Sequence, residues 1–147
     1  MHAIIAYSDV KHRREVIELW KSVLGYDAPH NAPELSIDRK LAVQDGLFFV
    51  AQEDGHVVGT VLAGYDGHRG WLYSVAVHPK FRKQRLGAGL IGRAEQALID
   101  RGCVKINLQI VGGNASVTAF YESLGYAVEP RVSMGKKISK NVPPAGL

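Results

Sequence analysis

Between Lys80 and Arg85 the chain carries four basic residues in six positions, and Gly87 and Gly89 come directly after. The full run Val75-Ala76-Val77-His78-Pro79-Lys80-Phe81-Arg82-Lys83-Gln84-Arg85-Leu86-Gly87-Ala88-Gly89-Leu90 reads as a strand stopped by Pro79, a basic loop, and the start of a helix. Its natural chemistry is the binding of an anion. The first amides of a helix have no partner within it, and the helix dipole adds roughly half a positive charge there. Glycine lets a ligand approach the backbone because no Cβ stands in the way. Basic side chains add Coulombic attraction, and together these features suit a diphosphate. The same run also fits a helix whose small residues pack close to a sheet, beside solvated Lys and Arg. Two nucleotide motifs are excluded: there is no Gly-Lys-Ser/Thr after the loop, and the spacing departs from the three-glycine dinucleotide fingerprint.

A second group lies downstream, where Asn114 and Tyr121 stand seven apart. On a helix that separation is two turns, so both residues share one face. An N-cap asparagine with an aromatic core residue is the plainer account of such a pair.

The elements that must position these residues emerge from hydrophobic period and turn chemistry. His2 to Tyr7 reads as a first strand. Val16, Ile17, Trp20, Val23 and Leu24 mark a helix over Val10 to Leu24, with Ser8 or Asp9 as N-cap and Gly25 as stop. Tyr26 to Glu34, with Pro29 and Pro33, reads as a loop, and a second helix runs from about Ser36 to Gln44. Leu47 to Ala51 and Val57 to Tyr65 are strands joined by the hairpin dipeptide Asp54-Gly55, and Trp71 to Val77 comes after the turn Asp66–Gly70. Leu90, Ile91, Ala94, Ala97 and Leu98 give one face of a helix over Leu86 to Arg101. Val104 to Ile110 is a strand, Asn114 starts another helix closed by Gly125, and Tyr126 to Ile138 is a last strand broken by Pro130. The order β-αα-βββ-α-β-α-β describes an α/β fold of the α+β kind: a mixed, mostly antiparallel sheet of about six strands flanked by about four helices. One domain over residues 1–138 and a loose tail over 139–147 complete the expectation.

Composition narrows the functional classes. The 147 residues suit a single core, and 46% hydrophobic with 22% charged residues is ordinary for a globular protein. No apolar run approaches the ~20 residues of a membrane span, and the N-terminus lacks a basic region and cleavage site. Cys103 is the single cysteine, so no intrachain disulfide forms, which fits a reducing cytoplasm. Ligands for a structural zinc site are missing as well, and no metal is expected. Eighteen Lys+Arg against 14 Asp+Glu leave a net charge of +4, concentrated in the loop. A nucleic-acid face would show a longer basic stripe with interleaved aromatics. Nothing in the sequence fixes the oligomeric state, and a homodimer is compatible with it.

Arg82-Lys83-Gln84-Arg85-Leu86-Gly87 resembles the Q/R-x-x-G-x-G/A signature of the GNAT superfamily of N-acetyltransferases, placed after a strand ending in His-Pro. Arg85 stands where the pattern has Gly. Asn114 to Tyr126 resembles the family's N-x(6)-Y-x-x-x-G-F/Y segment, and Gly59 to Gly70 is similar to small bacterial members of the YpeA type. The resemblance covers most of the chain. It implies acetyl-CoA as co-substrate and an unidentified primary amine as acceptor. It implies that backbone amides over Arg82, Lys83, Gln84, Arg85, Leu86, Gly87, Ala88 and Gly89 grip the CoA diphosphate. Arg85 must then tolerate the backbone angles of the missing glycine. Val75, Ala76 and Val77 would run beside the pantetheine arm, Asn114 and Ser116 would contact it, and Tyr121 would protonate the leaving thiolate. A CoA-binding module without turnover is the alternative.

Amide formation from a thioester needs a neutral amine. An amine of pKa ~10.4 is neutral about once in 2,500 molecules at pH 7, so deprotonation costs ~4.6 kcal/mol without help. Many relatives place a carboxylate on the strand before the loop, but Trp71-Leu72-Tyr73-Ser74-Val75 has none. Asp66, His68, Glu34 or water remain as candidate bases. Their plainer roles are turn former, exposed turn residue and solvated charge. Trp20 and Cys103 read as buried, His12 and His56 as surface residues.

Overall fold

The computed structural model describes residues 2–26 and 32–138. Strand β1 (Ala3–Ala6) leads into helices α1 (Asp9–Val23) and α2 (Pro33–Val43), and then into β2 (Phe48–Glu53), β3 (His56–Tyr65) and β4 (Gly70–Val77). A 3-10 turn (Pro79–Phe81), helix α3 (Leu86–Asp100), β5 (Ile106–Leu108) and helix α4 (Ala115–Ser123) complete the described elements. The strands pair in chain order β1-β2-β3-β4-β5. Every neighbour is antiparallel except β4 and β5, which are parallel. That exception comes from the connection: α3 crosses one face of the sheet and brings the chain back in the same direction.

Both faces of the sheet are covered. Val16, Leu19, Trp20 and Ile37 from α1 and α2 pack on Phe48, Val50, Leu62 and Ala76. On the other face Leu86, Leu90, Ile91, Ala94 and Leu98 from α3, with Tyr121 from α4, pack on Phe49, Ala51, Val61 and Leu72. From Phe48 to Ala51 strand β2 alternates between the two clusters residue by residue, which is why that stretch is continuously apolar. The Asp54-Gly55 turn has positive φ at both residues, +52° and +79°, as a two-residue hairpin of primed type requires.

The mixed sheet and four helices agree with the sequence pattern, with five strands among the described residues where that pattern predicts about six. Tyr126 to Ile138 forms no strand among the described residues. Pro130 removes an N–H from any ladder there. The segment is tied to the β5 region through side chains instead, Lys105 and Asn107 to Glu129 and Gln109 to Ser133. Helix α2 begins earlier than expected because Pro33 occupies its first turn, where a missing N–H costs nothing. His12 is not a surface residue: it is 2% exposed, and its Nδ1 accepts the Ser8 N–H at 2.9 Å, satisfying the start of α1. Trp20 and Cys103 are buried as expected, and His56 is exposed and paired with Glu15. The tail 139–147 and most of the Tyr26–Glu34 loop lie outside the described residues. No described helix is long and apolar enough to cross a membrane.

Candidate functional site

Strands β4 and β5 share only the register Gly70↔Ile106, Trp71↔Asn107 and Leu72↔Leu108. Beyond Leu72, β4 continues to Val77 while β5 has ended. The two strands therefore part, and the β5-side edge of β4 from Tyr73 to Val77 has no partner strand among the described residues. A bulge sits at the parting point: Thr60 pairs with Ala76 and Leu62 with Tyr73, so β4 carries one residue more than β3. Ser74 has φ +48°, a left-handed value for a residue with a Cβ, costing about 1–2 kcal/mol. Buried hydrogen bonds hold it there. Thr60 Oγ1 donates to the Ser74 carbonyl at 2.9 Å, and Trp20 Nε1 donates to Thr60 Oγ1 at 2.8 Å. The Ser74 and Tyr26 hydroxyls are 3.0 Å apart.

The open edge leads into the basic loop. His78 Nδ1 accepts the Lys80 N–H at 3.2 Å, Arg82 is extended, and Lys83 and Arg85 are left-handed with φ +64° and +60°. Left-handed residues inside a turn aim successive N–H groups at one point, which makes a concave anion site. Arg85 thus adopts the conformation that its replacement of glycine demands. It is the N-cap of α3, offers no side-chain cap, and no acidic residue occupies the first turn. The helix-start amides and dipole therefore have no counter-charge from that turn. Lys83, Gln84 and Arg85 are exposed, whereas Leu86 is 3% exposed and has only its backbone to offer. Arg82 Nε reaches the Val77 carbonyl at 3.4 Å, and Gln84 Oε1 lies 3.0 Å from His2 Nε2.

The glycines have a packing reason in addition to ligand access. A Cβ on Gly87 would stand 3.2 Å from Phe120 Cζ, and one on Gly89 would stand 3.1 Å from Ile4 Cδ1. Small residues here let α3 settle between β1 and α4.

Helix α4 starts at Asn114, whose Oδ1 accepts the Val117 N–H at 3.2 Å and the Ser116 hydroxyl at 3.1 Å. Asn114 is thus a true N-cap, and capping occupies its side-chain oxygen rather than its amide nitrogen. Two turns on, Tyr121 is 8% exposed, with Phe120 and Tyr126 edge-on at 5.0 and 5.7 Å. It shares a cluster with Leu72 and Leu86, against which Val75 and Val77 of the open edge pack. Burial pushes its hydroxyl pKa above the usual 10.0, so Tyr121 stays protonated at neutral pH.

On the α1/α2 face a cleft of about 400 Å³ reaches the same stretch of β4. Tyr73, Ser74 and Leu62 form its floor, Tyr26 one end, and Ser36, Arg39, Lys40 and Val43 of α2 a wall. The three candidate bases do not line it. Asp66 accepts the His68 and Arg69 N–H groups at 2.7 and 2.6 Å; these bonds, the Arg69 one foremost, hold its carboxyl below the usual range and lock it into the turn. His68 is exposed on that turn, at the closed end of β4. Glu34 sits in the first turn of α2, 3.8 Å from Lys21 Nζ. Tyr26, Arg39, Tyr73 and Ser74 carry no mark in the sequence as partners in one cleft, because only the fold brings these separated positions together.

Comparison with known proteins agrees with this geometry. The chain superposes on glucosamine-6-phosphate N-acetyltransferase from Arabidopsis thaliana with a TM-score of 0.70 at 20% identity, over 95% of this chain and 99% of that one. An aminoglycoside antibiotic 6'-N-acetyltransferase from Acinetobacter haemolyticus gives 0.74 at 20% identity, over 93% and 99%. The PaiA N-acetyltransferase of Thermoplasma acidophilum in complex with coenzyme A gives 0.70 at 19%, over 90% and 93%. These likenesses establish the shared fold. The model of the acetyltransferase (GNAT) family matches residues 13–126, and the chain belongs to that family.

Proposed function

We propose that this protein is an acetyl-CoA-dependent N-acetyltransferase that passes the acetyl group directly to a primary amine of a small molecule or peptide. The observation that carries this reading is the continuity of the open β4 edge with the uncapped start of α3 through a loop of left-handed residues. A thioester on a long arm ending in a diphosphate fits that track, and it supplies an activated acetyl carbon.

Each part of the reaction falls to a group of this chain. Amides over Arg82, Lys83, Gln84, Arg85, Leu86, Gly87, Ala88 and Gly89 hold the diphosphate, with the exposed Lys83 and Arg85 side chains adding charge. Backbone groups of Val75, Ala76 and Val77 align the pantetheine arm, and an N–H on that edge steadies the developing oxyanion. Asn114 and Ser116 contact the arm from α4. Tyr121, protonated and facing the same cluster, donates to the departing sulfur. The amine enters from the α1/α2 cleft and gives its proton to water held by the Ser74 and Tyr26 hydroxyls.

A CoA-binding protein without turnover is the second reading, favoured by the lack of a carboxylate among the described cleft residues. Calorimetric titration with acetyl-CoA, and then thiol release with an amine panel, separates the two. Binding with amine-dependent release supports the enzyme. Binding without release under any amine supports the second reading, and no binding removes both.

A further inference from the structure

The charge of the α1/α2 cleft is not explained by acetyl transfer itself. Of the two cations on its wall, Lys40 is 6% exposed and already engaged. Its Nζ lies 2.9 Å from Asp45 Oδ2, donates to the Ala63 carbonyl, and stands 5.5 Å from the centre of the Tyr73 ring. Arg39, one residue earlier on α2, is exposed and has no hydrogen bond or ion pair among the described residues. The nearest acid in sequence, Asp38, is taken by Arg13 at 2.5 Å. The rest of the described lining is apolar or hydroxyl-bearing, with no carboxylate.

A free guanidinium on such a wall repels a polycation and makes paired hydrogen bonds to a carboxylate or phosphate. The cleft floor ends at Tyr73 and Ser74, beside the parted strands where the acetyl group is presented. A volume of about 400 Å³ holds a small molecule that spans from that point to Arg39. We propose that the acceptor is a small primary amine that also carries a carboxylate or a phosphate, which Arg39 binds while the amine reaches the β4 opening. This rests on the acetyltransferase reading above. In the transfer, the amine nitrogen bonds to the acetyl carbon as the carbon–sulfur bond breaks. One amine proton passes to water, and the thiolate takes the Tyr121 proton, which solvent restores.

The test is thiol release from acetyl-CoA with size-matched amines in four arms: ethanolamine phosphate, β-alanine, ethanolamine and ethylenediamine. The wild type turns over at least one anion-bearing arm with kcat/KM about tenfold or more above the arms whose second group is a hydroxyl or an amine. Whichever of the first two leads identifies phosphate or carboxylate as the anion. Arg39→Gln lowers that preference about tenfold or more, chiefly through KM, while acetyl-CoA affinity by calorimetry is unchanged. Arg39→Lys retains part of the preference, which a folding defect would not produce. Absence of turnover in both anion-bearing arms, a lead by ethanolamine or ethylenediamine, or an unaltered preference in Arg39→Gln overturns the inference and leaves cofactor binding standing. Loss of acetyl-CoA binding in the wild type overturns the underlying reading instead.

Discussion

On the α3/α4 face the anion loop, helix start and open strand edge come from one contiguous run, Val75 to Gly89, whereas the opposite cleft draws Tyr26, Arg39 and Ser74 from three segments far apart in the chain. The first is made largely of main-chain groups whose geometry is set by left-handed residues and close helix packing. The second is made of side chains, above a strand bulge whose Ser74 carbonyl is fixed by a buried relay from Trp20 through Thr60. A cofactor of fixed structure can be met by backbone, which tolerates sequence change. An acceptor must be distinguished from its competitors, and that calls for side chains.

The strongest way to break this division is to remove the support of one side alone. Trp20→Ala deletes a fully buried indole and leaves Thr60 Oγ1 without its donor, so stability falls by about 3–5 kcal/mol in urea unfolding. The protein that remains folded keeps its acetyl-CoA affinity within about threefold, since the loop and helix start from Arg82 to Gly89 take no part in that relay. Tyr121→Phe lowers kcat roughly 10²-fold, about 2.7 kcal/mol, with acetyl-CoA affinity unchanged in calorimetry. Because burial raises the Tyr121 pKa, loss of activity from its ionisation sets in at higher pH than a free tyrosine would give.

Smaller effects sharpen the contrast. Gly87→Val places a branched side chain against Phe120, costs about 1–3 kcal/mol in thermal unfolding, and weakens acetyl-CoA by moving the helix start. Arg85→Gly removes the left-handed penalty and raises stability by up to about 1 kcal/mol. If backbone amides do the holding, its acetyl-CoA Kd stays within about threefold. Asp66→Asn changes turnover least of all, within about threefold of wild type, since that carboxylate serves the turn. Its folded-state pKa is depressed, so the turn's stabilisation is present above the unfolded value and is lost as pH falls through the lower folded one.

Much of the α3/α4 face is legible in the sequence because its parts are local. Proline, basic cluster and glycines mark the loop in a single stretch, and Asn114 and Tyr121 keep helical spacing. Arg85, standing where the family pattern has Gly, marks a position with special backbone demands, and its φ is +60°. The bulge at Ser74 leaves no such mark, since positive φ at a serine depends on Thr60 and Trp20, which are remote in sequence. For the same reason Asp66 and His68 look available as bases: nothing local shows that both belong to the closed end of β4. Pro33 reads as a break although it opens α2, because a proline that ends a loop and one that begins a helix differ only in the residues after them. The missing sixth strand reflects Pro130, whose effect on a terminal segment is concealed by the alternation of Val128, Val132 and Met134.

Main-chain recognition of a diphosphate at the start of α3 is tested most directly by amide chemical shifts during titration with acetyl-CoA. The account predicts that the largest changes fall on the N–H groups of Lys83 to Gly89, with a second set on Val75 to Val77. Saturating acetyl-CoA that leaves those amides unmoved, or that perturbs only residues elsewhere, would contradict it.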